Sequence, residues 1–208
     1  MENRYIFSFV AGGLLEPETH AILQRYAEIG DWAIVRQEIE TGSLLQATRA
    51  ASRIRYYLEI RRRLKVAHPF EIEFIMQQAP GHRLANFALC CRYYEFLGDF
   101  VLTVVREKID HFASPLALMD IYGFMEDKVS DHPEIAALTD QSRRKIQQVT
   151  LRMLAEAGIM DATTKVLTTP HVPVELIQAY WHSGDQKALL HLLQRRTDLD
   201  RPFSEEML

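Results

Sequence analysis

Apolar residues recur at intervals of three and four along most of the chain, the spacing of one face of an α-helix. Near the N-terminus, Gly30 and Gly42 each follow such a segment as a C-terminal stop, and Asp31 stands at an N-cap position. These signals predict three consecutive helices, at 16–29, 31–41 and 48–65. The aromatic segment 4–13 before them is predicted as a short strand or an extended arm packed on the body.

The same periodicity continues to the end of the chain. It predicts a helix that ends at Pro80, and a long, mostly buried helix that reaches Phe112 with Gly98 as a close-packing point. A second helical series begins at Ser114, and the β-branched segment 159–173 suits a small hairpin. Since helical signals dominate and strands are few, the fold class is predicted to be mainly α.

Two regions follow from this pattern. Residues 1–113 are predicted as an N-terminal helical domain that carries a basic unit similar to a helix-turn-helix. Residues 114–208 are predicted as a C-terminal helical region similar to a winged helix. The length of 208 residues allows one domain or two small ones packed together.

The composition indicates the general class of the protein. With 48% hydrophobic and 25% charged residues, the chain is typical of soluble globular proteins. Its most apolar stretch is interrupted by Arg92, Glu95 and Asp99, which are costly inside a bilayer, and residues 1–13 lack the features of an export signal. The adjacent Cys90 and Cys91 are expected to be reduced thiols, so a cytoplasmic protein is expected, with no membrane association.

The charge distribution distinguishes the third helix. Between Gly42 and Val66, seven basic residues and the single acid Glu59 give a local charge of +6 in a chain whose net charge is −4, which leaves −10 elsewhere. Arginine forks pair bidentately with phosphates, and hydroxyls near a helix N-terminus favour phosphate binding. This pattern predicts a DNA contact formed by Ser43, Thr48, Arg49, Ser52, Arg53, Arg55, Arg62 and Arg63. Ile54, Tyr57, Leu58 and Leu64 are predicted to face the core.

Two other interpretations of the basic helix stay open. Its arginines could pair with acidic residues elsewhere on the chain, or they could bind an acidic surface of a partner protein. In the second case the chain would be a protein–protein adaptor.

A second basic N-terminus lies in the C-terminal region. There a short helix, a turn at Thr139-Asp140, a longer helix and a hairpin follow the order of a winged helix, whose reading helix contacts DNA through its N-terminal end. This order predicts a second contact at Ser142, Arg143, Arg144 and Lys145.

Enzyme signatures are missing from the sequence. It contains no phosphate-binding loop, no dinucleotide fingerprint, no H-E-x-x-H and no C-x-x-C, and its eight histidines lack metal-ligand spacing. We therefore expect no catalytic residue, no metal and no cofactor. Cys91 is expected to be a buried thiol, because no histidine near it in sequence could activate it.

Four segments together resemble the BrxA family of the bacterial BREX bacteriophage-exclusion systems. They are "YIFSFVAGGLLEPE", "DWAIVRQEI", "LLQATRAASRIRYYLEIRRRL" and "LTDQSRRKIQQVTLRMLAEAGIM". The resemblance implies a helical fold similar to that of the NusB antitermination factor, with helix-turn-helix character, double-stranded DNA binding and no enzymatic activity. It also implies that the protein acts together with a methyltransferase, an alkaline-phosphatase-like protein and a large ATPase of the same system. The NusB-like fold adds RNA binding as a further alternative.

Overall fold

The computed structural model describes residues 4–42, 44–45, 49–112 and 115–195, and helices dominate it. A short 3-10 helix, Ser8–Ala11, precedes the first α-helix. The α-helices are α1 (Glu16–Ile29), α2 (Trp32–Thr41), α3 (Ala50–Leu64), α4 (Pro69–Met76), α5 (His82–Tyr93), α6 (Glu95–Phe100), α7 (Arg106–Asp110), α8 (Leu118–Lys128), α9 (Pro133–Ala136), α10 (Asp140–Glu156), α11 (Val174–Ser183) and α12 (Gln186–His191). The mainly α fold class is confirmed.

The first three helices pack around a hydrophobic cluster of their own. Ile22 of α1, Val35 and Ile39 of α2, and Tyr57 and Ile60 of α3 are buried together in it. Asp31 caps α2 as predicted, because its carboxylate accepts a hydrogen bond from the Ala33 N–H at 2.7 Å. These contacts fix which face of α3 points inward.

The larger core surrounds α5 and α6. Phe87, Leu97 and Phe100 are fully buried there, together with Phe124 of α8 and Leu154 of α10. This core draws residues from both sides of the 113/114 boundary, and the two-domain division stays a prediction. The long predicted helix is interrupted at Tyr94 and continues through a π-helical turn, Val101–Val105. A Cβ on Gly98 would lie 2.7 Å from the Cys91 carbonyl oxygen, so Gly98 is the close-packing point that its position predicted.

Two predicted β features take another form. The N-terminal arm packs on the body, but as the 3-10 helix and not as a strand. In the hairpin segment, the described residues contain only one antiparallel bridge, between Met160 and Leu167. A wing of the winged-helix type is therefore not confirmed.

Both cysteines are buried free thiols, and none of the described helices is long and apolar enough to cross a bilayer. Burial raises the pKa of Cys90 to about 11 and also raises the pKa of Cys91. Protonated, inaccessible thiols are poor nucleophiles, which agrees with the prediction of a buried Cys91.

His191 makes stability depend on pH. It is 3% exposed, neither ring nitrogen has a hydrogen-bond partner among the described residues, and burial with the nearby Lys187 lowers its pKa to about 4. Because the unfolded chain binds this proton near the ordinary pKa of about 6.5, stability is lost as pH falls from 6.5 towards 4. The loss should reach roughly 2–3 kcal/mol. Urea unfolding of the wild type, of His191→Leu and of the exposed control His111→Leu across this range checks it. An equally steep decline in His191→Leu would assign the effect to other groups.

Candidate nucleic-acid interface

Helix α3 is rotated from the orientation that its apolar pattern predicted. The buried face consists of Tyr57, Glu59, Ile60 and Arg63, whereas Leu58, which was expected in the core, is 39% exposed. The predicted core face of this helix omitted Ile60, which is fully buried. Because of the rotation, one predicted DNA contact turns inward, and Lys65 joins the predicted Arg55 and Arg62 on the solvent-facing side.

Arg63 is the residue that turns inward, at 1% exposure. Its guanidinium donates to the carbonyl oxygens of Leu14 (2.6 Å) and Gly13 (2.7 Å) and to the Tyr94 hydroxyl (2.8 Å). The Tyr94 hydroxyl in turn donates to the buried Glu59 carboxylate. Since every nitrogen of the guanidinium is occupied inside the protein, the prediction that Arg63 contacts DNA is wrong.

Two further arginines of the segment hold helix α2. Arg53 donates through Nε to the Ile39 carbonyl (3.0 Å) and through Nη2 to the Glu40 carbonyl (3.2 Å), at the C-terminal end of α2. The Arg61 guanidinium lies 3.6 Å from the centre of the Trp32 ring, a cation–π contact. The basic composition of this segment is thus partly structural.

Three of the remaining cations lie with two uncharged residues on one exposed line of the helix. We call this line the α3 stripe, and it consists of Ala51, Arg55, Leu58, Arg62 and Lys65. Their spacing of four, three, four and three places them on one side of the helix. Arg62 has a 52% exposed side chain and pairs with Glu59 at 3.2 Å, and Arg55 donates to the Ala11 carbonyl at 3.4 Å. The α3 stripe carries three positive charges and no negative one.

The N-terminal end of α3 is described in part. Arg49 is exposed at the N-cap position, and its carbonyl accepts from the Ser52 N–H at 3.0 Å. Ser52 is half-buried. Ser43 and Thr48, which were predicted to clamp phosphate, lie outside the described residues.

The residues of the second predicted DNA contact also differ in what they do: some form bonds within the protein and others are exposed. Arg143 has a 17% exposed side chain that pairs with Glu126 at 2.6 Å and donates to the Ile135 carbonyl, so it fastens α10 to its neighbours. Ser142 lies in the first turn of α10, where Thr139 caps the helix through the Ser142 N–H. Arg144 and Lys145 are exposed and form no ion pair with any described residue.

Arg144 and Lys145 stand beside a groove of about 970 Å³ between the 3-10 helix and the start of α10. Its apolar floor, which we call the groove floor, consists of Phe7, Val10, Leu138 and Ile146. The 3-10 helix packs against both α3 and α10, so the α3 stripe and the groove flank the same short segment. No sequence pattern links residues 7–10 to α10.

Lys65 and the residues of the groove floor are additions to the predicted site. Lys65 belongs to the same basic run and continues the spacing of Arg55 and Arg62, so the helical period alone could have found it. The groove depends on contacts between residues about 130 positions apart, which periodicity does not report. Within the described ranges, no cluster of histidine, cysteine or acidic residues could hold a metal ion.

Comparisons with known proteins give one family and one fold. A family model described as BrxA matches residues 3–181. No curated protein matches the chain. A crystal structure of an uncharacterized protein from Magnetospirillum magneticum is similar, with a TM-score of 0.76 and 23% identity over 91% of this chain and 98% of that one. At this identity the similarity shows the fold alone.

Proposed function

The chain belongs to the BrxA family, and on that premise we propose that it is a DNA-binding accessory protein of a BREX phage-defence system. Family membership points to a BREX-associated role, and the family is an accessory component of these systems and not a known enzyme. DNA binding, the absence of catalysis, and assembly with the methyltransferase, phosphatase-like protein and ATPase of the system are parts of the proposal.

The α3 stripe is the observation that carries DNA binding. Arg55, Arg62 and Lys65 project from one side of a helix in an otherwise acidic chain, and among the described residues Glu59 alone forms an ion pair with them. Phosphates of duplex DNA follow one another along such a surface and release condensed counterions when cations neutralise them. Leu58, between the cations, is free to contact a thymine methyl group or a sugar.

Two outlying groups extend the proposed contact. Arg49 lies at the N-terminal end of α3, and Arg144 and Lys145 lie at the N-terminal end of α10. We retain Arg53, Ser52 and Ser142 only as neighbours that position the contact, because their described bonds are made within the protein. The order α1, α2, α3, with the cationic helix third, is the order of a helix-turn-helix.

Binding of the purified protein to labelled duplex DNA, measured by fluorescence anisotropy at low salt, tests the proposal. We expect a saturable complex that unlabelled duplex displaces more effectively than single-stranded RNA does. Stronger displacement by the RNA would favour an RNA-binding protein. No duplex binding, together with co-purification of an acidic BREX subunit, would favour the adaptor.

A further inference from the structure

We propose, on the basis of DNA binding as the proposed function, that the groove between the 3-10 helix and α10 receives one unpaired base of the bound nucleic acid. The groove floor is the reason. A paired duplex presents phosphates, sugars and base edges, and its base faces are stacked inside. The apolar floor therefore has few favourable contacts to make with a paired duplex. A base that is turned out of the stack has two apolar faces, and either of them can pack against the floor.

The size and shape of the groove suit such a ligand. Its volume of about 970 Å³ lies in the range of pockets that hold small organic ligands, and is ample for one nucleotide. Phe7 supplies an aromatic side chain to the floor, and Val10 adds a half-buried aliphatic one. Stacking of a base on an aromatic side chain is favourable for any base, so no sequence preference is required.

The polar groups around the floor match the rest of a nucleotide. Arg144 and Lys145 can hold the phosphates on either side of the unpaired base. Gln141 and Gln148 line the same groove with amide donors and acceptors that suit a base edge.

Asp140 distinguishes this ligand from an acidic peptide. Asp140 lines the groove, and a carboxylate there can accept a hydrogen bond from an exocyclic amino group of a base. The carboxylates of an acidic peptide would instead be repelled by it. Arg144 and Lys145 alone would also attract an acidic protein segment. With Asp140 in its lining, the groove favours a base over such a segment.

The groove is also continuous with the proposed duplex contact. Arg55 of the α3 stripe donates to the carbonyl of Ala11, the residue that follows Val10 of the groove floor. A strand held by the α3 stripe can thus pass the 3-10 helix and place a nucleotide in the groove.

The test compares a short paired duplex with the same duplex carrying one extra, unpaired 2-aminopurine. We expect about tenfold tighter binding of the bulged duplex, with a change in 2-aminopurine emission on binding. Val10→Asp, which places a carboxylate in the floor, should remove the preference and keep the affinity for the paired duplex. Val174→Asp, at an exposed site on α11, is the control with the same charge change and should keep both. Circular dichroism checks folding, and Gln148→Glu replaces Val10→Asp if that variant unfolds.

The possible outcomes distinguish the failure of the groove assignment from the failure of the DNA-binding proposal. Equal affinity for the two duplexes in the wild type would overturn the groove assignment and leave DNA binding intact. No binding of either duplex would overturn both proposals. Tighter binding of a synthetic acidic peptide with aromatic residues than of the bulged duplex, if lost in Val10→Asp, would assign the groove to a protein ligand instead.

Discussion

Arg63→Ala is expected to lower the free energy of unfolding by about 3–5 kcal/mol, because it removes the buried charge beside the Glu59 carboxylate and leaves the half-exposed Arg62 as the remaining ion-pair partner of Glu59 among the described residues. Arg63 and Glu59 are each 1% exposed and are joined through the Tyr94 hydroxyl. Removal of the guanidinium also takes a donor from the carbonyls of Gly13 and Leu14, and the Leu14 carbonyl keeps only the hydrogen bond from the Asn86 amide, at 3.2 Å. Since these carbonyls belong to the turn after the 3-10 helix, the loss should loosen the N-terminal arm.

Urea unfolding followed by circular dichroism measures this effect, with Arg62→Ala as the matched control. Arg62 is the next residue and also pairs with Glu59, but half of its side chain is exposed and screened by solvent, so its loss should lower stability by only about 1 kcal/mol. The double variant Glu59→Gln/Arg63→Met removes both charges and should recover part of the loss. Equal stability of Arg63→Ala and Arg62→Ala would contradict the buried network.

Arg55→Glu/Arg62→Glu is expected to weaken duplex binding by more than about a hundredfold at low salt, because two phosphate contacts are replaced by two repulsions. Both side chains belong to the exposed α3 stripe, so the fold should tolerate the change. Anisotropy titrations with labelled duplexes of several sequences measure it. The loss should be similar for all of them, since phosphate contacts carry no sequence information.

The matched control is Arg83→Glu/Lys187→Glu, which changes the net charge equally at exposed residues of α5 and α12. We expect this variant to bind within about threefold of the wild type, because only the long-range field changes. A comparable loss in both double variants would mean that net charge, and not the α3 stripe, determines binding.

The helices were largely predictable, because their signals are local. Apolar spacing and stops such as Gly30 and Gly42 placed α1 and α2 to within one residue at each end. The break at Tyr94 was not predicted, since the apolar period runs through it. The N-terminal arm contains a 3-10 helix in place of the predicted strand, and its aromatic side chains Tyr5, Phe7 and Phe9 pack on a helical core.

The sequence predicted which types of residue the candidate site contains, but not which of their side chains face the solvent. The arginine count located α3, but arginine is long enough to reach acceptors on either side of a helix. Arg63 and Arg53 found backbone carbonyls contributed by distant segments, which no pattern within 48–65 reports. The groove floor likewise joins Phe7 and Val10 to α10 through tertiary packing alone.

A salt titration of duplex binding tests directly whether the α3 stripe is an open cationic surface for a polyanion. The slope of log K against log salt reports the number of phosphates neutralised, at about −0.9 for each. With Arg49, Arg55, Arg62, Lys65, Arg144 and Lys145 available, we predict a wild-type slope between about −3 and −5, and a slope about two units shallower in Arg55→Glu/Arg62→Glu. A wild-type slope near zero, or the same slope in both proteins, would contradict the account.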